Sequence, residues 1–136
     1  MKDDMGTENN RDVLSLEDIK LMVNTFYGKV REDDLLQEIF NSRIQDRWPI
    51  HLEKMYRFWQ TILLEEHTYY GSPFAPHEHL PVSAVHFERW KKLFYETVDE
   101  NFTGEKATEA KWRADKMAEM FLYKIEYRRK SESNDK

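Results

Sequence analysis

The chain has no cysteine, only four glycines and four prolines, and no long apolar run. Without cysteine there can be no disulfide, thiolate metal site, iron–sulfur cluster, thiol nucleophile or sulfur-linked prosthetic group. The four glycines are isolated from one another, so no glycine-rich phosphate loop exists, and there is no G-x-S-x-G elbow. No apolar stretch is long enough to span a bilayer. The first twelve residues, MKDDMGTENNRD, contain no apolar segment of the secretory kind, and a cytoplasmic location is the expectation. β-Branched residues never alternate usefully with polar ones, so strands are not expected. The formal net charge is −5, with acids and bases interspersed and no basic stripe, which argues against nucleic acid as a partner. The short run Arg128-Arg129-Lys130 reads as a solvated helix terminus.

Large rings, by contrast, are plentiful. Four Trp, seven Tyr and eight Phe in 136 residues exceed what a small helical core needs. The excess suits either a core of big side chains or a large flat apolar ligand. The length fits one domain with one core. Residues 1–14 and 131–136 read as disordered polar tails around a single domain over 15–130.

Helical periodicity runs through that domain. Ser15 caps a first helix with Glu17 and Asp18 in its first turn and an inward face of Ile19, Met22, Val23, Phe26, Tyr27 and Val30. A short helix is expected over Asp33–Phe40, presenting Leu35, Leu36, Ile39 and Phe40, followed by a loop over 41–46. The next helix starts at Trp48-Pro49 and runs to about Glu66, with a stripe of His51, Met55, Phe58, Trp59 and Ile62. Pro76 and Pro81 bracket a segment with room for little more than one turn. Ser83 caps a helix whose inward face is Phe87, Trp90, Phe94 and Val98, and Thr103-Gly104 stops it. The last helix carries Ala110, Ala114, Met117, Phe121 and Ile125. Five substantial helices and one short turn make an all-α fold.

His51 and His77 occupy unlike settings, one on an aromatic helical stripe and the other in Pro76-His77-Glu78-His79-Leu80-Pro81. Two such imidazoles, with Tyr27, Phe40 and Trp90 around them, suit a haem held between helices. A lone helical histidine is more often hydrogen-bonded to a carbonyl, so His51 alone carries little. His77 and His79 would face different directions on a helical turn and would not chelate one ion together, which leaves either as a single axial ligand. His77 is the preferred one, with Glu78 and His79 toward solvent and Leu80 inward, although spacing alone hardly decides between them. His67 and His86 read as surface or cap residues. Lys54, at the edge of the His51 face, can reach a haem propionate with its charge still in water.

Together, Phe26-Tyr27, Ile39-Phe40, Trp48-x-x-His51, Phe58-Trp59, His77-Glu78-His79-Leu80-Pro81, Phe87-Glu88-Arg89-Trp90 and Leu93-Phe94 resemble the truncated haemoglobins, specifically the bacterial group III class. The resemblance covers residues 15 to 127, and it rests on order and spacing more than on any single motif. It implies a globin-like, shortened two-over-two helical sandwich around one haem b (iron protoporphyrin IX). His77 matches the proximal iron ligand, and Tyr27, His51 and Trp90 match the polar distal residues. Phe40 matches the residue stacked on the porphyrin, Lys54 a propionate partner, and Met55, Phe58 and Phe87 the cofactor-contacting wall.

A single proximal imidazole leaves iron pentacoordinate, with its sixth position open. Three distal donors would then stabilise negative charge on a diatomic ligand and slow its release. Slow release suits redox or detoxifying chemistry, of the nitric oxide dioxygenase or peroxidase kind, better than oxygen transport. O2, nitric oxide or related small ligands are the implied partners, together with an unidentified reductase. Two other readings are a haem-free helical interaction or sensor module and a zinc or non-haem iron site built from His51, His77 and carboxylates.

Overall fold

The computed structural model describes residues 11–134. The elements are α1 (Leu16–Glu32), α2 (Gln37–Ile44), a 3-10 turn (Gln45–Arg47), α3 (Trp48–Leu64), a second 3-10 turn (Ala75–His77), α4 (Ala84–Asn101) and α5 (Glu105–Asn134). The only β feature among the described residues is an isolated bridge between Arg11 and Phe102. None of the helices is long and apolar enough to cross a membrane.

Helix α1 forms where its caps and stripe agree. The Ser15 hydroxyl accepts from the Asp18 amide at 3.2 Å, and the residues of the apolar face, Ile19 to Val30, are all buried. That face meets α3 and α4, while α4 lies against α5, giving two helical layers. Phe26 sits where the layers join, edge-on to Tyr27, Trp90 and Phe94. Trp59 of α3 stacks on Phe94 at 5.2 Å. Helix α5 approaches closely because Ala107, Ala110, Ala114 and Ala118 line its buried side.

Three boundaries depart from the expected ones. The second helix begins at Gln37, not Asp33, after a turn over 34–36 in which the Asp33 carboxylate accepts from the amides of Leu35 and Leu36, both at 3.1 Å. Helix entry thus comes about one turn late, and α2 runs through Ile44, across most of the expected loop. Residues 11–14 are not loose. Val13 is wholly buried, and Asp12 accepts from the amides of Lys106 (2.9 Å) and Ala107 (2.8 Å), capping α5 from far away in sequence. The cap also explains Gly104, whose φ of +130° no larger residue adopts easily, and where a Cβ would lie 2.6 Å from the Asp12 side chain. At the other end α5 continues past residue 130 to Asn134. The rest of the expected tails, residues 1–10 and 135–136, lie outside the described residues.

Candidate functional site

Helices α1 and α3 bring one wall together. Trp48 and His51 are three residues apart and share a helix face, which points at Tyr27 on α1. The Tyr27 and His51 rings meet at 5.1 Å and 86°, Trp48 and His51 at 5.6 Å and 89°, and Tyr27 and Trp48 at 5.8 Å. Phe40 closes the group, 6.2 Å from Tyr27. Trp48 is itself immobilised. Its indole N–H donates to Asn41 Oδ1 at 3.2 Å, and the Arg31 guanidinium lies 4.5 Å above its ring.

The imidazole of this wall, unlike the indole, keeps a nitrogen without a protein partner. His51 Nε2 is buried and has no hydrogen bond. Burial, then the charges of His77 and Lys54, lower the His51 pKa from 6.5 to about 4, so the ring is neutral at physiological pH. Burial likewise raises the Tyr27 phenol above its ordinary range and keeps the hydroxyl protonated as a donor. Trp90 does not touch these rings. It joins them through Phe26, 5.5 Å away, and lies parallel to Phe94 at 5.9 Å.

The opposite wall is the segment after α3. His77 ends the second 3-10 turn, and its Nδ1 lies 2.7 Å from the Pro73 carbonyl oxygen. A carbonyl only accepts, so Nδ1 carries the proton and Nε2 keeps a free lone pair. The ring rests on Phe121 of α5 at 4.8 Å, with Phe74 beside it. Burial lowers the His77 pKa against the opposing effect of the Pro73 bond, and Arg43 adds to the lowering. His79, by contrast, is exposed, its side chain 65% accessible. The geometry separates the two histidines where spacing did not.

The remaining candidates divide. Met55 and Phe87 are half-buried, Phe87 one turn before Trp90 on α4. Lys54 is exposed, yet its charge reaches His51. Phe58 is buried against Trp59 and Tyr69, 5.4 Å from each, and has no ring contact with Tyr27 or His51. His67 is exposed, and His86 Nδ1 accepts from the Ser83 amide at 3.0 Å as a cap residue. A cavity of about 410 Å³ opens between α2 and His79-Leu80-Pro81, with Arg43 in its wall.

Four contributors had been given no site role from sequence. Trp48 carried a usable signal, since it stands one turn before His51. Phe121 was expected inward but not beneath a histidine. Arg43 and Arg128 gave no local sign, because they reach the His77 segment from distant elements. Arg128 and Arg129 both contact that segment, so the basic run is not merely a solvated terminus.

Chemically, two neutral imidazoles on different elements, each with an unengaged nitrogen, stand among aromatic rings. The described residues contain no group of three or more His, Asp or Glu able to hold a metal ion, which leaves the zinc or non-haem iron reading without a ligand set. A flat apolar group carrying its own metal needs only one axial imidazole, and His77 has the tautomer for it.

The chain's similarities point the same way. A family model described as bacterial-like globin matches residues 12–123. A group 3 truncated haemoglobin of Campylobacter jejuni is 35% identical over 120 residues, which cover 83% of this chain and 94% of that protein. The crystal structure of the group III truncated haemoglobin from Campylobacter jejuni aligns with a TM-score of 0.78 at 32% identity, covering 85% of this chain and 94% of that one.

Proposed function

Since the chain belongs to the bacterial-like globins, among the group III truncated haemoglobins that bind haem and small diatomic ligands such as O2, we propose that it retains such ligands for redox or detoxifying chemistry on nitric oxide or peroxide, not for oxygen transport. The observation that carries this is the contrast between the histidines. His77 has its Nδ1 proton committed to Pro73, whereas His51 Nε2 is buried with nothing to bond. The first is how a chain presents an axial ligand. The second is a polar atom kept in reserve for a molecule that enters.

His77 would hold haem b through Nε2, Phe40, Met55 and Phe87 would contact the porphyrin, and Lys54 and Arg43 offer cations for its propionates. When bound, the haem supplies an iron with one open coordination position and a one-electron couple. The chain's own residues do the rest. Tyr27 would offer its hydroxyl as a hydrogen-bond donor to a diatomic ligand. His51, neutral across the physiological range, donates from or accepts at its free nitrogen. Trp90 adds an indole N–H from α4. Donors fixed in a dry site stabilise negative charge strongly and slow release, which a delivery protein does not need. Such chemistry consumes electrons, and a reductase is the proposed source.

The tests are spectra of the ferric, ferrous and oxygen-exposed protein, followed by rapid mixing of the oxygenated form with nitric oxide. We expect a Soret band, ferric iron that is five-coordinate or water-bound, and nitrate formed within the mixing time. A ferric protein that is wholly low-spin, and becomes high-spin only in His51→Ala, would show His51 occupying the open position and overturn the reading.

A further inference from the structure

The proposed iron ligand stands on a segment with little structure of its own. Between α3 and α4 the backbone bonds to other backbone groups only at short range, as in His77 N to Phe74 O (2.8 Å) and Leu80 N to His77 O (3.1 Å). What orders the segment comes from outside, chiefly from one stripe of α5. Phe121 supports the His77 ring, Lys124 lies 5.0 Å above Phe74, Arg128 pairs with the Glu78 carboxylate, and Arg129 donates to the Leu80 carbonyl at 3.0 Å. Residues 121, 124 and 128 recur at helical spacing and face one way. Glu132, one turn on, accepts from the other terminal nitrogen of Arg128 at 3.2 Å and so aims the guanidinium. From the other side Arg43 reaches the Pro76 carbonyl at 3.5 Å.

We infer that Arg128 is a positioning residue for the proximal histidine, acting through its ion pair with Glu78, the residue next to His77. Fixing the Glu78 carboxylate fixes the backbone that leaves His77. It thereby holds the Pro73 carbonyl and the ring in register, and Nε2 in one direction. Both side chains are partly shielded, Glu78 at 30% and Arg128 at 39% exposure, so the pair is less screened than an open surface bridge. The inference deepens the reading of His77 as iron ligand and rests on it.

Two readouts test it, and the first is independent of haem. In haem-free Arg128→Ala and Glu78→Gln, amide exchange over residues 77–82 should quicken about five-fold, the ordinary effect of losing such a pair, with helix content unchanged. The Glu78→Gln/Arg128→Ala double variant should be no faster than the faster single one, because each residue acts through the other. In the haem-loaded variants the ferrous iron–histidine stretching band should shift and broaden, and a larger share of the nitrosyl form should be five-coordinate. Arg128→Lys, which keeps the charge, should recover part of each change. Exchange and band both at wild-type values would overturn the inference, as would additive effects in the double variant. If exchange responds as stated but wild-type protein shows no iron–histidine band, the haem reading fails and the Glu78–Arg128 clamp stands.

Discussion

His51→Leu is expected to make the haem-free fold more stable and more acid-resistant, at the expense of the site. Two effects add. At neutral pH the wild-type chain buries Nε2 with no partner, and replacing an unsatisfied polar group by an apolar one of similar size recovers about 1 kcal/mol. In acid a second effect appears, because His51 has a pKa of about 4 when folded against 6.5 when unfolded. Between those values the unfolded chain binds more protons than the folded one. Stability is therefore fully present above 6.5 and drains away as the pH falls toward 4. Taken whole, that gap corresponds to about 3 kcal/mol, and since the ring is only half-buried about 1–2 kcal/mol is the expected share.

The measurement is urea or thermal unfolding of the haem-free proteins at pH 7.5 and pH 4.5. The His51→Leu variant should lead by about 1 kcal/mol at the higher pH, roughly 4 °C in Tm, and by about 2–3 kcal/mol at the lower. His77 and the carboxylates titrate in both proteins, so the difference between them isolates position 51. Parallel pH dependences would show that His51 does not titrate as a buried group. A variant less stable at pH 7.5 would show that Nε2 has a partner after all.

Tyr27→Phe should raise the O2 dissociation rate about ten-fold or more in a stopped-flow displacement assay, since a charge-assisted hydrogen bond is worth about 1.5–3 kcal/mol; an unchanged rate would move the main donor role to Trp90 or His51. His77→Ala should abolish normal haem retention, read as transfer of haem to an acceptor globin, while His79→Ala leaves it largely intact, and the reverse pattern would make the ligand assignment wrong. Asp12→Ala should cost about 1–2 kcal/mol by stripping the cap from the Lys106 and Ala107 amides. An unaltered unfolding midpoint there would mean that residues 11–14 add nothing to the fold.

Most of the helical plan is legible because it is local. The stripe from Ile19 to Val30, the cap at Ser15 and Pro49 in a first turn each depend on neighbours within one or two turns. What escaped depends on partners that composition does not show. Residues 11–14 look like a polar tail, yet Val13 is core and Asp12 caps a helix more than ninety residues away. α2 starts one turn later than periodicity implies, after a turn over 34–36 tied to the Asp33 carboxylate. The site divides similarly. Tyr27, Phe40 and His51 lie on stripes that had to converge, and they do. Phe58 lies on the same stripe as His51, but Tyr69, from the loop after α3, claims it. His77 was preferred to His79 through the resemblance, and what the structure adds is the Pro73 carbonyl and the Phe121 ring, neither of which spacing can supply.

The two walls of the site are held by different physics, and the difference follows from what each must do. On the side proposed for the diatomic ligand Tyr27, Trp48 and His51 stand on helices and meet at interplanar angles of 61° to 89°. Packing of this kind is stiff, insensitive to salt and set before any ligand arrives, as donors must be if they are to discriminate by a fraction of an ångström. The proximal side is built from a segment of irregular backbone tied by arginine side chains. Such ties are weaker and screened by salt. That wall has a second source of order, because a bond from His77 to iron would itself restrain the segment. The fold therefore places its rigid elements where only the protein can impose geometry, and leaves the compliant segment where the cofactor can help to complete it.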